Sequence, residues 1–312
     1  MFPPDLDPAE AIRIAWAAHG MSVVELERRR KRTRWTYRRG ARLNRRFTLE
    51  TPFSFDGPAA GCDLFTTDED PTGTTARGTL NNCSGGTTPW GTVLSGEENF
   101  NQYFLAEGTP RDARYGLGPD GDHRNWRSLD PRWNATDPGY ANEPNRFGWI
   151  VEIDPHDPTS TPVKHTAMGR FKHEGANVAV ARDGRVVAYM GDDERFEYVY
   201  RFVSRNAYRK GNSAAARRHN LRLLSEGDLS VARFTGDGAQ DGISDGTGEW
   251  IPLTRNGRSM VPGWSIEEVL VYTRLAADRV QPTKMDRPED VEPNLVNGRV
   301  YVMLTNNTQR KD

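Results

Sequence analysis

From Phe147 onward the pattern of apolar and polar positions is that of β-strands: short apolar runs bounded by Asp, Gly and Pro turn signals. Phe147-Gly-Trp-Ile-Val-Glu-Ile-Asp-Pro predicts a strand closed by an Asp154-Pro155 turn. Ala176–Ala181 and Val186–Asp193 flank Asp183-Gly184, a tight-hairpin signature. Phe196–Val203 alternates as another strand, and Leu229–Phe234 with Glu249–Leu253 suggests a further pair. Arg299–Thr305 follows an Asn297-Gly298 turn. Successive short strands joined by tight turns are the unit of a β-propeller blade. No internal repeat is visible by identity, so the repetition is structural.

Two stretches carry helical spacing instead. Asp7–Gly20 has an N-cap in Asp7, Pro8 in the first turn and Gly20 at the stop, with Ile12, Ala15 and Trp16 on one face. His19 near its C-terminus favours the helix dipole. Ser265–Ala277 reads as a helix with Val269, Leu270 and Leu275 inward. Ser22–Glu27 is strand-like, and the basic run Arg28–Arg32 with Trp35 and Tyr37 behind it reads as a solvated hairpin tip. Residues 50–80 are loop-rich, and residues 106–146 form a long irregular insertion of the kind that borders sites.

Composition narrows the function. Among 312 residues, 42 are basic and 43 acidic, so the net charge of −1 offers no global field for nucleic acid or an anionic membrane. A hydrophobic content of 36%, with 30 Gly and 20 Pro, favours turns and short strands over long helices. No apolar run reaches the roughly 20 residues of a membrane span. Met-Phe-Pro-Pro-Asp-Leu-Asp-Pro carries no export signal, so the chain read literally is cytoplasmic. Cys62 and Cys83 do not make a disulfide scaffold, although one bridge between them is open in an oxidising compartment.

The candidate chemistry centres on Asn81–Asn99, where Cys83 sits in a polar, glycine-rich loop that runs into a short β segment and ends at Glu97-Glu98. That set suits a metal, a nucleophile or a disulfide. Three further clusters join it: Gly169–Gly175 with His173-Glu174, Gly191–Glu194 with Asp192-Asp193, and Asp286–Asn294 with Arg287, Glu289 and Asp290. All read as loops at strand ends, which in a propeller crowd one face of the central axis. Carboxylates there suit Ca²⁺, a thiolate suits a transition metal, and an arginine fork suits phosphate. Each cluster alone also has a plain structural reading: a turn, a surface ion pair or a buried inert thiol.

Together these pieces resemble the PhoX family of bacterial alkaline phosphatases. The resemblance rests on residues 81–100, Gly148–Pro155, Gly169–Glu174, Gly191–Asp193, Asp286–Asn294 and the Val300–Asn307 stretch behind it, in family order, and more weakly on Ala17–Glu25. It implies a mainly β fold, a six-bladed propeller with Fe(III) and Ca²⁺ at its axial end. It also implies hydrolysis of phosphate monoesters by a metal-held oxygen and export to the periplasm or beyond. By position, Cys83 would be the thiolate ligand to iron, and Glu174 and Glu289 carboxylate ligands. Arg287 would hold the phosphate, and Asp290 and Glu98 would be ligands or their partners.

Family members are longer. The resemblance therefore implies that residues 1–312 form one incomplete propeller domain, an internal fragment with open edge strands prone to association and with little activity alone. Two other readings stand beside it: a non-catalytic propeller that binds a partner, and a different metal-dependent hydrolase such as a lactonase or phosphodiesterase.

Overall fold

A computed structural model describes residues 5–28, 34–236 and 246–311. Helix α1 (Pro8–Ala18) begins where expected, with the Asp7 carboxylate accepting the Ala9 N–H and Pro8 in the first turn. Its partner at the other end differs from the dipole reading. His19 Nδ1 lies 2.6 Å from the Ala15 carbonyl and Nε2 3.1 Å from the Tyr103 hydroxyl, and burial lowers its pKa, which disfavours the charged form.

Strands β1 (Met21–Val23), β2 (Leu26–Glu27), β3 (Thr36–Tyr37) and β4 (Arg45–Phe47) follow. β1 pairs with β4, and β2 with β3, so the expected hairpin forms. Most of its basic tip, residues 29–32, lies outside the described residues. The loop-rich reading of residues 50–80 misses two strands, β5 (Pro52–Asp56) and β6 (Thr75–Arg77).

Next come β7 (Asn82–Thr87), β8 (Val93–Glu97), β9 (Ile150–Ile153) and β10 (Val163–His165). They form an antiparallel meander, and β10 continues in parallel to β5 and then β6, completing a six-stranded sheet. A second meander contains β11 (Asn177–Val180), β12 (Arg185–Gly191), β13 (Val199–Ala207), β14 (Gly227–Thr235) and β15 (Thr247–Pro252). Gly184 takes φ +85 in the β11–β12 turn, as the Asp-Gly signature requires. Two hairpins follow, β16 (Thr254–Arg255) with β17 (Arg258–Ser259), and β18 (Pro288–Pro293) with β19 (Val300–Leu304). The fold is mainly β.

Three expectations are corrected. Residues 82–87 are a strand rather than a loop, and so are residues 288–293. The helix expected over 265–277 breaks at Tyr272 (ψ +46) into α4 (Ile266–Val271) and α5 (Thr273–Asp278), labelled after α2 (Pro110–Ala113) and α3 (Ala214–Asn220). Val269 and Leu270 are fully buried, while Leu275 packs only at the core margin.

The 106–146 insertion contributes to the core. Trp126 and Trp133 are buried, 5.0 Å apart edge to face, and Trp16 of α1 packs on both. Such pairs contribute about 0.5–1.5 kcal/mol each beyond area burial. The insertion thereby fastens α1 to the six-stranded sheet.

Strands of three sheets meet at one seam. β7 lies against β11, and β18 against both β11 and β12. Glycines make this approach possible. A β-carbon at Gly86 would overlap the Ala176 carbonyl, one at Gly96 the His173 carbonyl, and one at Gly191 the carbonyls of Pro288 and Glu289. At Gly175 it would stand 3.0 Å from the Gly85 nitrogen. Backbone thus touches backbone along this seam.

Candidate metal and phosphate site

Five short segments reach the seam. Cys83 sits on β7, opposite a register shift between Asn82 and Gly85. Asn82 pairs with Glu97 and Gly85 with Ser95, so β7 carries one extra residue there, a bulge that re-aims its side chains. β18 has the same irregularity: Pro288 pairs with Leu304 and Val291 with Val302, and Glu289 and Asp290 occupy the bulge. Glu98 follows β8, Glu174 precedes β11, and Asp193 follows β12.

The Cys83 sulfur lies 3.1 Å from Glu174 Oε2 and donates to it. Ligand atoms of Cys83, Glu98 and Glu174 lie within 4.8 Å of one another. Glu98 and Glu174 are buried, whereas Cys83 is on the exposed side. Partial burial, then the Glu174 hydrogen bond, push the thiol up to about 12. Burial, then the charges of Glu174 and Asp193, push Glu98 up to about 7. Glu174 is also raised by burial, and Asp193, Glu289 and Asp290 add to it. Asn99 donates its amide to Glu98.

Arg287 stands on the other side, with φ +55 just before β18. Its Nη2 donates to Asp193 Oδ2 at 2.7 Å and lies 3.3 Å from Glu289 Oε1. Glu289 Oε1 also accepts from the Thr305 hydroxyl at 2.7 Å. Asp193 is 6% exposed, and its Oδ1 is buried with no hydrogen-bond partner. The structure therefore brings together Cys83, Glu98, Glu174, Arg287 and Glu289, with Asp290 close enough to act on the Glu174 charge. Asp193 joins them, although the resemblance did not single it out.

The acidic doublets divide their labour. Glu97 is fully buried on Lys164 at 2.8 Å and accepts from the backbone of Leu80, Gly148 and Trp149, leaving Glu98 to the site. Asp192 is buried on Arg274, with Nε at 2.8 Å, leaving Asp193 to the site. Successive side chains on extended backbone point opposite ways, so one acid of each pair anchors and its neighbour faces the seam. His173 takes no such part. Its Nε2 donates to the Gly169 carbonyl at 2.9 Å, its ring stacks on Phe171, and burial pushes it down to about 3. The Cys62–Cys83 bridge is also absent, and both thiols are free.

A mainly β chain with a thiol, several carboxylates and an arginine at one seam defines a recognisable class. The alkaline phosphatase PhoX family model matches residues 4–312, and the chain belongs to that family. A solved relative is Pseudomonas fluorescens PhoX in complex with vanadate, a transition state analogue. It is 46% identical with a TM-score of 0.87, over 97% of this chain and 52% of that one. This chain thus spans about half the length of its solved relative. No curated protein matches it. No helix among the described residues is long and apolar enough to cross a membrane.

Proposed function

We propose that this chain carries a metal-dependent phosphate-monoester hydrolase site, on a propeller whose blades include the β7–β10 and β11–β15 meanders. The observation that carries the reading is the convergence of Cys83, Glu98 and Glu174 within 4.8 Å, beside an arginine oriented by Asp193.

The donor chemistry fits cations. Burial, and then the charges of their neighbours, raise Glu98 and Glu174, and the buried Asp193 Oδ1 has no partner; a cation relieves both conditions. A deprotonated Cys83 suits ferric iron, and the oxygens of Glu98, Glu174, Asp193, Glu289 and Asp290 suit calcium. When bound, these ions supply charge neutralisation and Lewis acidity toward a phosphate ester.

The protein's own groups orient the substrate. Arg287 offers a planar fork to the phosphoryl oxygens and balances the charge that grows on them. Asp193 and Glu289 hold that fork in place before substrate arrives, which reduces the ordering cost of binding. The relative's vanadate complex supports a phosphoryl-like oxyanion as the bound group. The same reading places the protein in the periplasm or outside the cell.

The test separates binding from turnover. Purified protein supplied with iron and calcium is assayed for metal content, absorption spectrum, vanadate affinity and hydrolysis of an aryl phosphate. Bound iron with a charge-transfer band, together with vanadate binding, is the expected result. Calcium alone would favour a different hydrolase, and no metal at all would favour a non-catalytic binding protein.

A further inference from the structure

The near-zero net charge conceals a segregation. Residues 24–42 hold nine basic and two acidic side chains, a surplus of +7, so the remainder carries −8 against a total of −1. Five of the bases, Arg28, Arg34, Arg38, Arg39 and Arg42, lie among the described residues, and all five are exposed.

The ribbon that bears them has two unlike faces. β2 and β3 pair Leu26 with Tyr37. Directly paired residues share a face, and Val24 and Trp35, each two residues from a member of that pair, continue it. All four are open to solvent: Val24 52%, Leu26 50%, Trp35 57% and Tyr37 54%. The Arg28 guanidinium lies 5.7 Å from the Trp35 ring, and Arg38 pairs with Glu25 beside the ribbon.

Two aliphatic and two aromatic side chains on one face, rimmed by arginines, match the chemistry of a bilayer boundary. Trp and Tyr favour the headgroup level, and arginines favour lipid phosphates. A single-stranded nucleic acid would use the two rings, but Val24 and Leu26 have no plane on which a base can stack. An apolar phase covers them, and the surrounding arginines match an anionic one.

We propose that the β2–β3 ribbon docks this protein on an anionic lipid bilayer. Val24, Leu26, Trp35 and Tyr37 enter the headgroup boundary, and Arg34, Arg39 and Arg42 bind lipid phosphates. The acidic remainder is repelled by the same surface, so the charge asymmetry turns the ribbon toward the membrane.

Co-sedimentation of the full chain with vesicles tests this, comparing phosphatidylcholine alone with vesicles rich in phosphatidylglycerol. Binding to the anionic vesicles only, weakening as salt is raised, is expected. R34E/R39E and W35S/Y37S each lower the partition coefficient about tenfold, with the unfolding midpoint unchanged. Absence of binding, equal binding to neutral vesicles, or insensitivity to salt in the unmodified protein overturns the proposal without recourse to variants. Insensitivity to both double variants, or preferential capture of single-stranded RNA, overturns it as well.

Discussion

Arg287 Nη2 and Asp193 Oδ2 stand 2.7 Å apart, joining the start of β18 to the end of β12. Arg287 reaches that position from a left-handed backbone, a conformation that costs a non-glycine residue about 1–3 kcal/mol and persists only where its surroundings hold it. Asp193→Asn removes the charge that orients the guanidinium. A charge-assisted hydrogen bond is worth about 1.5–3 kcal/mol, so vanadate affinity should fall about ten- to a hundredfold. Calorimetric titration with metal content measured in parallel checks this. Weakened vanadate binding at retained metal content identifies Asp193 as a positioning residue for Arg287, whereas loss of calcium in parallel identifies its Oδ1 as a metal ligand.

Cys83→Ser is expected to abolish iron binding while leaving calcium in place, because a hydroxyl is a poor substitute for a thiolate toward a transition metal. Elemental analysis and the loss of a charge-transfer band report the outcome. Unchanged iron would leave the Cys83–Glu174 contact with a packing role only.

Gly191→Ala puts a methyl group into the Pro288 and Glu289 carbonyls, which are backbone and cannot swing away. Overpacking of this kind costs about 1–3 kcal/mol. The seam must open by moving β18, so Arg287 and Glu289 move with it. A lowered unfolding midpoint together with weaker vanadate binding is expected. By contrast, alanine at Gly40, where a β-carbon meets nothing within 4 Å, should leave vanadate binding unchanged.

A pH dependence arises away from the site. His165 is fully buried between Asp56 at 3.0 Å and Glu152 at 2.8 Å, joining the ends of β5, β9 and β10. Burial opposes its charge, but the two carboxylates outweigh burial and push it up to about 10. A folded pKa above the unfolded value of 6.5 means that stability is fully present below that value and is lost as pH rises toward 10. Thermal unfolding should therefore show a midpoint that declines across this window. His165→Gln should be less stable at neutral pH and lose most of that slope.

How much of this was legible in the sequence varies by element. The strands from Phe147 onward were readable because short apolar runs are cut by Asp, Gly and Pro turns; alternation helped in Val199–Ala207, whereas Ile150–Ile153 is buried at every position. β5 and β10 were not readable as neighbours, since their parallel pairing joins residues more than a hundred positions apart, such as Ser54 and Val163. The Cys83 segment was recognisable as a motif but misread as a loop. Gly85-Gly86 signals a turn by composition, whereas here the two glycines admit a neighbouring backbone. Asp193 was hidden because Asp192-Asp193 is equally the composition of a turn, and only Arg274 shows which acid is the anchor. The bulges that carry Cys83, Glu289 and Asp290 have no local sequence signature at all.

The glycine seam bears on how the site tolerates change. Where side chains separate two sheets, spacing drifts as rotamers and volumes adjust, and a substitution several layers away is felt. Where carbonyls meet α-carbons directly, spacing is set by bond lengths and van der Waals radii, which no rotamer alters. The candidate donors are thus mounted on something close to a fixed gauge. Repacking the aromatic cluster of Trp16, Trp126 and Trp133 should alter the protein's melting point far more than the distances among Cys83, Glu98 and Glu174. The outer layers are accordingly free to diversify while the donor spacing stays constant.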